Sequence, residues 1–226
     1  MKEILLLFDI DGTLIDSGEA GSRALDRAFE ELFGIRNAFR SIQMAGKTDT
    51  QIIKEALGFH GIGNGMHQIK RFVSRYVELL KVEIENPRRR LKPGVAWILE
   101  YFNSMGLPMG LLTGNIEEGA RIKLGPFGIN HYFPAGAFGS DHEDRDKLLP
   151  IAVERFSRLG IDLPPERCII IGDTPRDVRC AKVHGARAVA VSTGPYDTDT
   201  LMATDADLVV ETLEDRKKIV EFLKSL

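Results

Sequence analysis

Cysteine is nearly absent: the 226 residues contain two, Cys168 and Cys180. Their separation fits no metal-binding spacing, and two thiols cannot build a disulfide framework. Reduced, buried thiols in a cytoplasmic protein are the expectation. Long apolar runs are missing as well, which excludes a membrane-spanning helix. Neither sign of charge dominates, with 30 basic residues against 33 acidic ones. The chain therefore has no overall attraction to nucleic acid or an anionic membrane. The start, Met1-Lys2-Glu3 and a few apolar residues, is too short for a secretory signal. Tryptophan occurs once, as Trp97, and reads as packing. Five histidines lie scattered without ligand spacing, so none is assigned to a metal. Repeats and low-complexity tracts are lacking too.

What is present begins with Leu5-Leu6-Leu7-Phe8-Asp9-Ile10-Asp11-Gly12-Thr13. The apolar half has the composition of a strand buried on both faces. It runs straight into two aspartates, which are costly beside a buried strand unless a cation or strong donors compensate them. From Ala20 to Glu85 only helical periodicity follows, in three segments. The second is capped by Thr48-Asp49, and the third carries Ile69, Phe72, Tyr76, Val77, Leu80 and Ile84. Asn86-Pro87-Arg88-Arg89-Arg90 reads as a solvated, proline-marked linker.

Beyond Pro93 strands and helices alternate. Strands are expected over Pro108–Leu112, within Tyr132–Phe138, and over Cys168–Ile171, Ala188–Val191 and Leu208–Val210. Helices are expected over Ile116–Leu124, Asp144–Leu159 and Pro175–His184, with a last one ending at Leu226. Such alternation gives an α/β fold, a Rossmann-like, doubly wound parallel sheet. The helical stretch interrupts it after the first strand. The expected division is a core of residues 1–15 and 90–226 with an α-helical cap at 16–89.

Ligands of open parallel sheets gather at the carboxyl ends of the strands. Those ends carry chemistry here. Met109–Leu112 leads into Thr113-Gly114-Asn115, a hydroxyl, a permissive glycine and a helix start, which are the ingredients of a phosphate cradle. Cys168–Ile171 leads into Gly172-Asp173-Thr174-Pro175-Arg176-Asp177, with two more carboxylates.

Together Asp9-Ile10-Asp11-Gly12-Thr13, Thr113 and Gly172-Asp173-Thr174 with Asp177 resemble signatures of the haloacid dehalogenase-like superfamily. The wording around Asp173, with the later Gly185-Ala186, is most similar to its phosphoglycolate phosphatase-like branch. The third signature, a basic residue, departs from the usual pattern within Asp141-His142-Glu143-Asp144-Arg145-Asp146-Lys147. If Asp144–Leu159 is one α-helix, Arg145 lies nearer the apolar stripe of Leu148, Ala152, Phe156 and Leu159 than Lys147 does. Arg145 is preferred, and Lys147 is the alternative.

The resemblance implies a Mg²⁺-dependent phosphatase for a small phosphorylated metabolite, 2-phosphoglycolate being the best single guess. Asp9 would be the nucleophile and Asp11 the acid and base, its carboxyl kept protonatable by neighbouring carboxylates. Metal ligands would be Asp9, the Asp11 carbonyl and Asp173, with Asp177 assisting. Thr113, Gly114 and Asn115 would bind the phosphoryl group, and Arg145 or Lys147 would hold it with Asp9. Ala45-Gly46-Lys47-Thr48-Asp49 resembles a cap loop that touches substrate, which makes Lys47 a candidate contact for a second anionic group. The same loop imitates the end of a P-loop but lacks the preceding strand and glycine. A sugar phosphomutase and, from another class, a signalling phosphoacceptor are the competing readings. A monomer or homodimer is expected.

Overall fold

The computed structural model describes residues 4–226; the expectation for Met1-Lys2-Glu3 falls outside them. The opening apolar run forms β1 (Leu5–Phe8), all of it buried. Next comes a short β2 (Ile15–Asp16), followed by α1 (Ala20–Phe33), α2 (Asp49–Phe59) and α3 (Met66–Glu83). The chain returns through β3 (Arg90–Leu91) to α4 (Val95–Ser104) and β4 (Met109–Thr113). Then follow α5 (Glu117–Leu124), β5 (Gly136–Phe138), α6 (Leu148–Ser157), β6 (Cys168–Gly172) and α7 (Pro175–Lys182). The last elements are β7 (Arg187–Val191), α8 (Thr198–Met202), β8 (Leu208–Val210) and α9 (Arg216–Lys224).

Six strands form one sheet in the order β5-β4-β1-β6-β7-β8, and every pairing in it is parallel. The strand period of two sorts β1 between the two layers. Leu6 and Phe8 enter a cluster with Ile98, Phe102 and Leu124. Leu5 and Leu7 enter another with Leu149, Phe156, Val178 and Ala181. The strand order reverses at β1, so its carboxyl end lies between those of β4 and β6. This is the switch point at which doubly wound sheets bind ligands.

Helices α1, α2 and α3 close around a cluster of their own, with Phe29, Ile53, Leu57, Phe72 and Leu80 fully buried. A two-stranded antiparallel ribbon of β2 and β3 carries the chain out and back. The ribbon is not legible in the sequence, because two-residue strands show no period. Arg88 and Arg90 are exposed, as expected of a solvated linker, and they also pair, Arg90 with Asp16 at 2.7 Å and Arg88 with Glu19 at 2.9 Å. The single helix expected over Asp144–Leu159 is also corrected. A 3-10 turn at Arg145–Lys147 precedes α6, and Leu159 is exposed.

Candidate active site

Asp9 stands one residue past β1 and is buried. Its backbone N–H is spent on the Ile171 carbonyl at 2.9 Å, which locks the β1 exit to β6. Burial pushes its carboxyl up to about 6, against the Arg145 guanidinium and the Thr113 hydroxyl and with the charge of Asp177. Gly12 follows at φ 88°, and a Cβ there would sit 2.3 Å from Asp173 Oδ2. Only glycine fits both the left-handed turn and that close approach. Thr13 then donates its hydroxyl to Asp173 Oδ1 at 2.9 Å.

The third strand end is built by capping. Thr174 caps α7, its hydroxyl and N–H both donate to Asp177 Oδ2, and Pro175 takes the first helical position. Asp177 Oδ1 is taken by Arg145. Both oxygens of Asp177 are therefore engaged, and it acts on the site through Arg145. One oxygen each of Asp9, Asp173 and Asp177 lie within 4.8 Å of one another.

A divalent cation fits these residues. Asp173 is almost fully buried, yet among the described residues its hydrogen-bond donor is neutral Thr13 alone. Burial and the charges of Asp9 and Asp177 hold its carboxyl far above the usual range. A buried carboxylate against two others needs a cation, and an all-oxygen set suits a hard one such as Mg²⁺.

Arg145 is the cation that reaches Asp9, at 3.1 Å. Its guanidinium also meets the Leu112 carbonyl and, at 3.4 Å, the Gly46 carbonyl. Burial opposes its charge, but Asp177 and Asp9 hold it firmly protonated. Lys147 is exposed on the same turn and does not line the cavity. No α-helix runs through Arg145 and Lys147, so α-helical angle does not separate them. What turns Arg145 inward is the 3-10 turn capped by Asp144.

Thr113 ends β4 and receives both the N–H and the Nδ2 of Asn115, at 3.3 and 2.9 Å. Gly114 meets the 45–49 loop edge to edge. Its carbonyl accepts from Asp49 N at 2.7 Å, and a Cβ on it would strike the Lys47 carbonyl. The side chain of Asp49 in turn accepts from Ile116 N at 3.0 Å, completing the start of α5. Lys47 lines the cavity, but its ammonium is paired with Glu55 at 2.5 Å.

Asp11 departs from expectation. Its Oδ2 accepts from Lys123 Nζ at 2.6 Å and from Asn115 Nδ2 at 2.9 Å. Burial alone would raise this carboxyl, but the Lys123 charge and the hydrogen bonds of Lys123, Asn115 and Ser17 hold it below the usual range. Neighbouring carboxylates do not set its state; Lys123 does. Lys123, Asp49, Tyr76 and Ser17 all line the cavity, whose volume is about 310 Å³, and none was selected from the sequence. The signal for Lys123 was legible: it falls on the buried stripe of α5 with Ala120 and Leu124.

A doubly wound sheet with a carboxylate cluster at its switch point places the protein among α/β proteins with a candidate cation site at the carboxyl ends of the strands. The family comparison narrows that class. The sequence model of the haloacid dehalogenase-like hydrolases matches residues 6–191, and the chain belongs to that family. A phosphoglycolate phosphatase of Nitrosococcus oceani is 25% identical over 217 residues, 96% of either chain. One from Synechococcus elongatus is 28% identical over 215 residues, 93% of either chain. These relatives place the enzyme with the family's phosphatases. A crystal structure described as a predicted phosphoglycolate phosphatase from Haemophilus somnus superposes with a TM-score of 0.72, at 20% identity, covering 96% of this chain and 97% of that one. At that identity the superposition speaks for the fold alone.

Proposed function

We propose that the protein is a Mg²⁺-dependent phosphatase that releases inorganic phosphate from a small phosphorylated metabolite, with 2-phosphoglycolate the first candidate. The observation that carries this reading is the buried meeting of Asp9, Asp173 and Arg145 at the β1 end. Asp9, the Asp11 carbonyl and Asp173 would hold the ion, with Asp177 bracing Arg145. When bound, the ion would offset the repulsion between carboxylate and phosphate.

Asp9 attacks phosphorus as the bond to the leaving oxygen breaks, giving an aspartyl phosphate. Thr113 and the Gly114 N–H bind the phosphoryl oxygens, Asn115 orients Thr113, and Arg145 aligns Asp9 with the phosphate. Asp11 gives a proton to the leaving oxygen, then takes one from the water that hydrolyses the intermediate. Ionised at rest, it is ready for the second task. For the first, it takes up a proton from solvent as the arriving phosphate's negative charge raises its proton affinity.

The 16–89 segment would act as the cap, with the β2–β3 ribbon as its hinge and Lys47 at its substrate-facing loop. The buried free thiols Cys168 and Cys180 fit a reducing, cytoplasmic setting. A monomer or homodimer is the proposed state.

Phosphate release from 2-phosphoglycolate, sugar phosphates, nucleotides and p-nitrophenyl phosphate, with Mg²⁺ and with chelator, tests the reading. Asp9→Asn should reduce turnover to background on every substrate; retained activity would remove Asp9 as nucleophile. A neighbour described provisionally as a beta-phosphoglucomutase, TM-score 0.71 at 21% identity over 98% of this chain and 89% of that one, keeps the mutase alternative. Phosphate appearing on a sugar hydroxyl rather than in water would select it.

A further inference from the structure

We propose that Lys123 is a positioning residue for the acid–base step, fixing the Asp11 carboxyl in its reactive orientation. The proposal rests on the acid–base role given to Asp11 above.

Lys123 projects from α5 with its side chain 6% exposed. Its ammonium makes two bonds of 2.6 Å, to Asp11 Oδ2 and to Asn115 Oδ1. Asn115 closes the triangle by donating Nδ2 to the same Asp11 oxygen at 2.9 Å and to Thr113 Oγ1 at 2.9 Å. Two donors converging on one oxygen set both the position and the plane of the carboxyl. The same amide ties it to the threonine that faces the phosphoryl group.

The roof over this triangle comes from the helical segment. A Cβ on Gly21 of α1 would lie 3.1 Å from Lys123 Nζ and 3.9 Å from the Tyr76 hydroxyl of α3. A side chain at position 21 would therefore press on the ammonium. Asp49 of α2 adds a negative charge from the same side. Lifting these helices would return Lys123 to water and weaken its hold on Asp11. An ion pair whose carboxylate is 40% exposed adds little stability. Its presence beside the reacting carboxyl needs a chemical reason, and positioning supplies one.

The experiment compares phenyl phosphate with p-nitrophenyl phosphate, which have nearly the same footprint. Phenolate leaves poorly without a proton, whereas p-nitrophenolate is a stable anion. General acid catalysis contributes about 10²–10⁴-fold. On that scale Lys123→Met should lower kcat/KM, which reads only the steps through departure of the leaving group, about 30-fold or more for phenyl phosphate and roughly threefold for p-nitrophenyl phosphate. Asp11→Asn should show the same split, larger. Equal losses on both substrates for Lys123→Met, or none, overturn the proposal when Asp11→Asn shows the split. Equal losses for Asp11→Asn instead overturn the acid–base role itself. If Lys123→Met fails to fold, Lys123→Gln carries the same comparison, with the same outcomes deciding.

Discussion

Two cations flank the carboxylate cluster, and they are held in different ways. Arg145 is fixed almost wholly by the sheet layer: Asp9 after β1, the Leu112 carbonyl of β4 and Asp177 of α7. From the helical segment it receives only the Gly46 carbonyl, at 3.4 Å. Lys123 also stems from the sheet layer, but Gly21, Tyr76 and Asp49 of α1–α3 enclose its head. Arg145 is thus held within the sheet layer, while Lys123 is enclosed jointly by the sheet layer and helices α1–α3. If the helical segment moves as the proposed cap, its opening would disturb Lys123 more than Arg145.

The comparison breaks most sharply at Arg145. Arg145→Met leaves Asp9 and Asp177 buried without their cation, a loss expected to cost about 3–5 kcal/mol. Chemical denaturation in the presence of chelator checks this, and added Mg²⁺ should restore part of it by pairing Asp9. Lys123→Met should cost less, about 1–2 kcal/mol, because the Asp11 side chain is 40% exposed and water can replace the lost donor. A larger loss for Lys123→Met than for Arg145→Met would reverse the ranking and with it the contrast between the two cations.

The sequence exposes one side of this contrast far better than the other. The strand ends were readable because apolar runs stop abruptly at Asp9, Thr113 and Asp173, and the switch-point rule says such ends meet. The six-stranded parallel sheet followed from the alternation of elements beyond Pro93. Arg145 was chosen correctly as the buried cation but for a helical reason the 3-10 turn removes. Lys123 was legible as a cation on the buried stripe of α5 and Asp49 as part of the 45–49 loop, but their meeting with each other and with Tyr76 was not. Their chemistry appears only when the α1–α3 layer is laid over α5, a contact between positions far apart in sequence. The β2–β3 ribbon was invisible for another reason: two residues cannot display a period. Asp11 was misjudged because carboxylate neighbours are visible in sequence and a lysine 112 positions away is not.

A smaller effect tests the Lys123 side alone. Asp49 is buried, and burial, with a lesser push from Asp11, raises its carboxyl from 3.8 to about 6 despite Lys123 and the Ile116 N–H. The folded chain therefore holds this proton more tightly than the unfolded chain does. The stability linked to it is fully present below about pH 4 and is lost as pH rises through about 6. Asp49→Asn keeps an oxygen for the Ile116 N–H and removes the charge. In chelator, where Asp9 and Asp173 titrate in both proteins, the variant should match the parent near pH 4 and exceed it by about 1–3 kcal/mol at pH 7. Denaturant midpoints measured across that range decide the matter. A difference that does not change with pH would mean that Asp49 is not enclosed when the protein is free in solution, and that the roof over Lys123 stands open there.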